Sequence, residues 1–149
     1  MQFRPSADIP GSWLCIHPLK GTPAELESGK PPRRVPAVTG ACLMVSRQLY
    51  DELGGLAEDY IINDFEDADF CHQVAEAGGA IWYEPRVQLY HIERQSISRS
   101  GDAAARHLVT LVNMWKHGQR WKHRLSQLPL FDDGSIDSIC EETNADSYR

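Results

Sequence analysis

The sequence predicts an α/β domain in which a short mixed sheet is flanked by helices. A β-rich run at residues 35–45 is followed by two stretches with helical patterns, and two more short β-rich runs lie at 80–83 and 87–90. A third helical pattern comes after them. Strands and helices that alternate along one chain in this way predict the α/β class.

The first 34 residues are predicted to form an irregular arm rich in Pro and Gly. They contain six of the nine prolines of the chain, and such punctuation favours loops over regular structure. The domain is expected to begin at residue 35 with the β-rich run, which Gly40 interrupts. Ser46 can then cap a short helix that ends at Gly54-Gly55.

The next helix has the clearest pattern in the chain. Asn63 or Asp64 can cap it, and Gly78-Gly79 can end it. Its apolar positions recur at i, i+1, i+4 and i+7, and they are Phe70, Cys71, Val74 and Ala77.

Two short strands and a longer helix complete the domain. Pro85 separates the strands at 80–83 and 87–90, because proline does not continue a central strand. Asp102 can start the helix and Gly118 can interrupt it. One apolar face of this helix is predicted to pack on the domain, and it is formed by Leu108, Leu111, Val112 and Trp115.

Charge and composition exclude some classes of function. From Asp132 onward six acids stand against one base, so this stretch carries −5 of the net charge of −6, and residues 129–149 are predicted to be an acidic flexible tail. The remaining body is nearly neutral, which gives no footprint for general nucleic-acid binding.

The sequence has no apolar run long enough to cross a bilayer, and its N-terminus lacks the apolar core of a secretory signal. A cytoplasmic location is therefore expected, with peripheral membrane association as the alternative. Four widely separated cysteines show no zinc-site spacing and are predicted to be reduced, mostly buried thiols, with a disulfide as the alternative: Cys15, Cys42, Cys71 and Cys140.

Three acids fall in the first turn of the clearest helix: Glu66, Asp67 and Asp69. Carboxylates at that position interact favourably with the helix dipole, by about 0.3 to 1 kcal/mol each, which is a purely structural explanation. The surrounding residues favour a chemical one, because they form an ordered series. Its members are Gly40-Ala41, Gly54-Gly55, Glu58, Glu66-Asp67, Asp69, Cys71, Gly78, Tyr83-Glu84-Pro85 and His91.

This series resembles the acceptor-side, C-terminal half of inverting family 2 glycosyltransferases, which have the GT-A fold. Ser96 falls where that family often has a Ser after the His, and Asn113 falls in a similar helical continuation. The likeness covers residues 35–120. It implies that residues 35–128 form a partial GT-A domain, of the nucleotide-diphospho-sugar transferase type.

The resemblance implies transfer of a hexosyl group, with inversion, from a nucleotide-sugar donor to a glycan or a lipid-linked acceptor. Asp67 matches the family's general base, which takes the proton of the acceptor hydroxyl as that oxygen attacks the anomeric carbon. Glu66 is expected to orient the acceptor or the local loop. Asp69, about 200 degrees further round the helix, is expected to be structural.

His91 matches a residue that binds the divalent cation, Mn or Mg, in some members, where the cation stabilises the leaving diphosphate. The alternative for His91 is a packed or hydrogen-bonded residue. Gly40 and Ala41 could let a substrate approach the backbone, with a β-bulge as the alternative. Trp82 could stack on a sugar, although an aromatic residue in a short strand is more often part of a core.

The chain also departs from the family pattern. A complete GT-A domain begins with a nucleotide-binding half and carries an Asp-x-Asp metal motif, and neither is present in this sequence. Asp67-Ala68-Asp69 has the same letters but lies within a helix. Ala57 and Gln73 stand where the family commonly has Asp and Arg. The isolated chain is therefore expected to be an inactive fragment that lacks the donor-binding half.

Other interpretations remain open. The same piece of fold could be a non-catalytic module that binds a glycan or a protein without dependence on nucleotide or metal. A metal-binding protein built on Asp64, Asp67 and His91 has less support. The basic segment 113–125 could contact an anionic membrane surface, or it could pack its apolar face on the domain. Under both main hypotheses, an exposed sheet edge at the missing half predicts self-association.

Overall fold

The computed structural model describes residues 1–18, 20, 23–28, 30–62, 64–89 and 103–129. This part of the chain is a mixed α/β arrangement, which agrees with the predicted class. Its elements in chain order are β1 (Gln2–Pro5), β2 (Trp13–Ile16), α1 (Glu25–Ser28), β3 (Arg33–Arg34), a 3-10 turn (Gly40–Cys42), α2 (Arg47–Glu52), α3 (Glu66–Glu76), β4 (Trp82–Tyr83) and α4 (Ala103–Leu125).

The described strands form two separate antiparallel pairs, which corrects the prediction of one mixed sheet. β1 pairs with β2, so that Phe3 lies opposite Cys15, and β3 pairs with β4, so that Arg34 lies opposite Trp82. The run at 35–45, which was expected to provide a strand of that sheet, is not a strand. Nothing in the described residues therefore joins the two pairs into one sheet.

The backbone explains why the run at 35–45 turns. Val35 N–H donates to Ile81 C=O over 3.0 Å, which adds one bond to the β3–β4 pair. Pro36 has no N–H with which to continue such a ladder. Thr39 Oγ1 then accepts a hydrogen bond of 3.4 Å from the backbone N–H two residues later and caps the 3-10 turn.

The predicted irregular arm at residues 1–34 instead begins with an ordered hairpin, β1–β2. Phe3 and Trp13 are buried, at 1% and 9% exposure, and they share a core with Trp121 of α4. Pro5 ends β1, and the other proline of this hairpin lies in the connection. The prolines therefore bound the strands and do not prevent them.

Both helices near the acidic pair form where they were predicted. Ser46 Oγ accepts a bond of 3.2 Å from Leu49 N–H at the start of α2, and Gly54 follows the helix with a φ of 81°. α3 is followed by Gly78, with a φ of 85°. The residue that precedes α3 is Phe65, so Asp64 is not its cap, and Asn63 lies outside the described residues.

The apolar face predicted for α4 is wrong at three of its four positions, since only Leu111 packs on the body, against the cluster of buried residues that contains Tyr60 and Phe65. Leu108, Val112 and Trp115 are 63%, 50% and 53% exposed. The face that packs on the body carries both polar and apolar side chains. Its buried members are Asn113, Met114, His117, Trp121 and Leu125.

Gly118 does not interrupt α4. A Cβ at this position would lie 2.8 Å from Gly11 C=O and 3.2 Å from Ser12 Cα. The small residue therefore lets the hairpin approach the helix backbone closely, and this contact selects the face of α4 that is buried.

Several remaining predictions have mixed outcomes. Residues 87–89 do not form the second predicted strand, and Tyr90, Asp102 and the tail from 130 to 149 lie outside the described residues. Cys71 is buried, Cys15 is partly buried and Cys42 is exposed, and all three are free thiols. Cys140 lies outside the described residues. Among the helices that are described, none has the length and apolar character needed to cross a membrane.

Candidate functional site

Gly40 and Asp67 meet at the first turn of α3, although they are 27 positions apart. Gly40 N–H donates to Asp67 Oδ2 over 2.8 Å, and Ala68 N–H donates to Asp67 Oδ1 over 2.7 Å. A Cβ at Gly40 would lie 3.3 Å from Asp67 Cβ, so the close approach favours glycine. Asp67 is only partly buried, and both Gly40 and Ala41 are exposed. The structure thus brings three of the predicted site residues together.

Glu66 has a different environment from its neighbour Asp67. Its Oε2 atom is buried and has no hydrogen-bond partner among the described residues. Burial, together with the charges of Asp67 and Asp64, raises the pKa of Glu66, although a bond from its own backbone N–H opposes this. The two adjacent carboxyl groups therefore differ, because Asp67 is held by two N–H donors and Glu66 is poorly solvated.

The turn before this pair is strained. Ile62 and Phe65 have φ angles of 55° and 82°, in the left-handed region that ordinary residues avoid at a cost of about 1 to 3 kcal/mol each. Phe65 is buried, at 8% exposure, and its ring centre lies 5.2 Å from that of His117. Tertiary packing, in place of a side-chain cap, therefore fixes where α3 begins.

Asp69 lies on a buried face of α3 and has 0% exposure. Its Oδ1 accepts hydrogen bonds from Tyr60 OH (2.8 Å), Arg120 Nη1 (3.0 Å) and Trp121 Nε1 (2.7 Å). Its Oδ2 accepts one from Gln73 Nε2 (2.8 Å). Burial acts to raise the pKa of Asp69, but these four bonds outweigh it and hold the pKa below its usual range. Asp69 joins α3 to α4, in agreement with the structural role expected for it.

The loop at 59–61 is attached to α4. Asn113 Oδ1 accepts a bond of 3.1 Å from Ile61 N–H, and Asn113 Nδ2 donates a bond of 2.7 Å to Ile61 C=O. Lys116 Nζ lies 2.8 Å from Asp59 Oδ2, and Arg120 Nη2 binds the same oxygen. These hydrogen bonds from Lys116 and Arg120 lower the pKa of Asp59 to about 2.

Two histidines, one on α3 and one on α4, are fully buried. His72 and His117 have 0% exposure, and their ring centres are 5.2 Å apart. His72 Nδ1 accepts a bond of 3.2 Å from Arg124 Nε, whereas three other ring nitrogens have no partner among the described residues: His72 Nε2, His117 Nδ1 and His117 Nε2. Burial lowers the pKa of His72 to about 3 and that of His117 to about 4. Both imidazoles are therefore uncharged and behave as aromatic core residues.

Trp82, another predicted site residue, is not part of this group. Trp82 lies in β4, where the guanidinium carbon of Arg34 is 5.5 Å from its ring centre. His91 lies outside the described residues. In the part of the chain that is described, no three His, Cys, Asp or Glu residues are arranged to hold a metal ion. The roles expected for Trp82 and His91 stay predictions.

Comparison with known proteins gives partial similarities. No family model matches the chain, and no solved structure gives a significant match. Over 101 residues the chain is 29% identical to N-acetylglucosaminyl-diphospho-decaprenol L-rhamnosyltransferase of Mycobacterium tuberculosis, a match that covers 62% of this chain and 33% of that protein. Over 94 residues it is 30% identical to Polypeptide N-acetylgalactosaminyltransferase 18 of Homo sapiens, covering 61% and 15%.

A shorter match is found with Uncharacterized protein y4gI of Sinorhizobium fredii. It has 42% identity over 60 residues, which covers 40% of this chain and 7% of that protein. The chain thus spans a third or less of each of these relatives. Because two of them are glycosyltransferases, the similarity supports a glycosyltransferase-like region in this chain.

Proposed function

We propose that this chain is the acceptor-side part of an inverting glycosyltransferase of the family 2 type, with a partial GT-A fold and with Asp67 as general base. The observation that carries the proposal is the hydrogen bond of 2.8 Å from Gly40 N–H to Asp67 Oδ2. It joins the Gly-Ala segment to the acidic pair at a carboxylate that solvent can reach. The similarity to two glycosyltransferases supports the class of reaction.

Asp67 has the chemistry of a general base for an acceptor hydroxyl. Each of its oxygens accepts one backbone N–H, and each keeps a lone pair for a second donor. As the hydroxyl proton passes to the carboxylate, the acceptor oxygen forms a bond to the anomeric carbon, and the bond from that carbon to the nucleoside diphosphate breaks on the opposite face. Attack opposite the leaving group inverts the configuration.

Glu66 is proposed to orient the acceptor. Because its pKa is raised, Glu66 holds a proton at higher pH than an ordinary glutamate does. A protonated carboxyl donates one hydrogen bond, whereas an ionised one only accepts. In its protonated form Glu66 would donate to a hydroxyl oxygen of the sugar while Asp67 accepts from another hydroxyl.

The nucleotide-sugar donor is proposed to bind to a separate half that this stretch does not contain. The two transferases are long enough for such a half, since the chain spans 33% and 15% of them. The described residues do not fit a divalent cation. A cation, Mn or Mg, would depend on His91 and on the donor half, and no step above uses it.

Calorimetric titration of the purified chain with UDP, GDP and dTDP, each with and without manganese, tests this division of the site. A folded chain that binds none of them agrees with the proposal. Metal-dependent binding of one nucleotide would mean that the donor site is complete within these 149 residues and would contradict it. Binding of a glycan or protein that persists unchanged in Asp67→Asn would favour the non-catalytic module.

A further inference from the structure

We propose that Asn113 is a positioning residue that fixes, through the backbone of Ile61, the strained turn from which Asp67 is presented. The inference rests on the proposed function for the role of Asp67. The link from α4 to the loop at 59–61 and on to α3 is independent of that role.

Asn113 binds both backbone groups of one residue. The side chain has 0% exposure, and its amide accepts from Ile61 N–H and donates to Ile61 C=O over 3.1 and 2.7 Å. A side-chain amide carries a hydrogen-bond donor and an acceptor side by side. It can therefore bond the backbone C=O and N–H of one residue, as a neighbouring β-strand would. A residue 52 positions later thereby fixes the orientation of the Ile61 peptide groups.

The neighbouring positions of α4 hold the rest of the loop. Asn113, Lys116 and Arg120 follow a spacing of three and four residues, which places them along one side of the helix. Lys116 and Arg120 both bind the carboxylate of Asp59. The Tyr60 ring lies 5.2 Å from Lys116 Nζ and 5.4 Å from Arg120 Cζ. Three consecutive loop residues are thus held from α4.

The strain lies immediately after this attachment. Ile62 has a φ of 55° and Phe65 a φ of 82°, and a loop free of restraint would relax these angles because ordinary residues avoid the left-handed region. Asn113 restrains the chain before the turn, and packing of Phe65 against His117 restrains it after the turn. Asp67 comes two residues after Phe65. A change in the turn therefore changes the direction of the Asp67 carboxylate relative to Gly40.

Nuclear magnetic resonance of the whole chain can follow both ends of this link. In Asn113→Ala the Ile61 amide should exchange with solvent about tenfold faster or more, because it loses a hydrogen bond. The Gly40 amide proton reports its bond to the Asp67 carboxylate, and a charged acceptor makes such a bond stronger. In Asn113→Ala the chemical shift of the Gly40 amide proton should move toward the value that it has in Asp67→Asn.

Two matched variants separate positioning from general destabilisation. Gln119 also uses its side-chain amide on α4, but it donates to Gly11 C=O of the hairpin over 3.3 Å. Val74 is buried on α3, at 8% exposure, so Val74→Ala weakens the core without touching the loop at 59–61. Gln119→Ala and Val74→Ala should leave the Gly40 signal in place.

If Asn113→Ala does not fold, Asn113→Asp serves in its place, because it keeps the volume and the acceptor for Ile61 N–H and loses the donor to Ile61 C=O. A Gly40 signal that stays in place in the folded Asn113 variant, or that shifts as far in Val74→Ala, would overturn the proposal. Failure of the proposed function is a separate result, since it appears as normal turnover in Asp67→Asn whatever Asn113 does.

Discussion

Replacement of Asp69 by Asn should destabilise the fold by about 2 to 4 kcal/mol. Asp69 accepts four side-chain bonds, and an asparagine carbonyl can accept about two of them. Tyr60 and Trp121 are 6% and 5% exposed, and each buried donor left without an acceptor costs about 1 to 3 kcal/mol. Arg120 adds less, because its side chain is 34% exposed and it keeps Asp59.

Urea unfolding at neutral pH, followed by tryptophan fluorescence, measures this cost. Asp51→Asn is the matched control, because Asp51 is exposed and pairs only with Arg47 along α2 among the contacts described, so its loss should cost less than about 0.5 kcal/mol. An Asp69→Asn cost below about 1 kcal/mol, or one equal to that of Asp51→Asn, would refute the reasoning.

The same variant should respond differently to acid. The folded-state pKa of Asp69 lies below its usual value, so its charge stabilises the fold above the pKa of the unfolded chain. This contribution is lost as the pH falls through the folded-state pKa. The difference in unfolding free energy between wild type and Asp69→Asn should therefore shrink in acid, and a difference that grows would contradict the assignment.

Two further substitutions test the packing around α4. Gly118→Ala should destabilise the chain by about 1 to 3 kcal/mol in urea unfolding, because the added Cβ would lie 2.8 Å from the Gly11 carbonyl oxygen. This clash should outweigh the helix propensity of alanine, which favours the helix by about 1 kcal/mol relative to glycine. Burial lowers the pKa of His72 from 6.5 to about 3 and that of His117 from 6.5 to about 4. As the pH drops from 6.5 to 4, these histidines therefore bind protons in the unfolded chain before they do so in the folded one. The free energy of unfolding should fall over this range. His117→Phe should flatten that decline in unfolding curves measured across this range, and equal slopes in the two proteins would contradict it.

The parts of the fold that local sequence could predict are those set by local interactions. Ser46 caps α2 with its own side chain, and three of the four predicted apolar positions of α3 are buried, whereas the fourth, Ala77, follows the helix and is exposed. Gly40 and Asp67 were both predicted as site residues from the resemblance, but their contact was not predicted, since nothing in either segment indicates the other.

Long-range contacts account for what the sequence did not reveal. Asp69 and Trp121, like Ile61 and Asn113, are 52 positions apart, so no spacing rule connects them. The apolar pattern of α4 predicted that Trp115 packs on the body. The hairpin instead approaches the helix at Gly118, and a different face of α4 is buried. The hairpin at the Pro-rich start of the chain was not predicted, because each of its strands is only four residues long.

The role of Asp67 is tested most directly by turnover of Asp67→Asn in a polypeptide that joins this region to the proposed donor-binding half. Release of nucleoside diphosphate would be measured with acceptor present, with Asp51→Asn as the control. General-base catalysis predicts that Asp67→Asn lowers turnover by about 10² to 10⁴, whereas Asp51→Asn leaves it unchanged. Near-normal turnover in Asp67→Asn would contradict the assignment of Asp67 as the base.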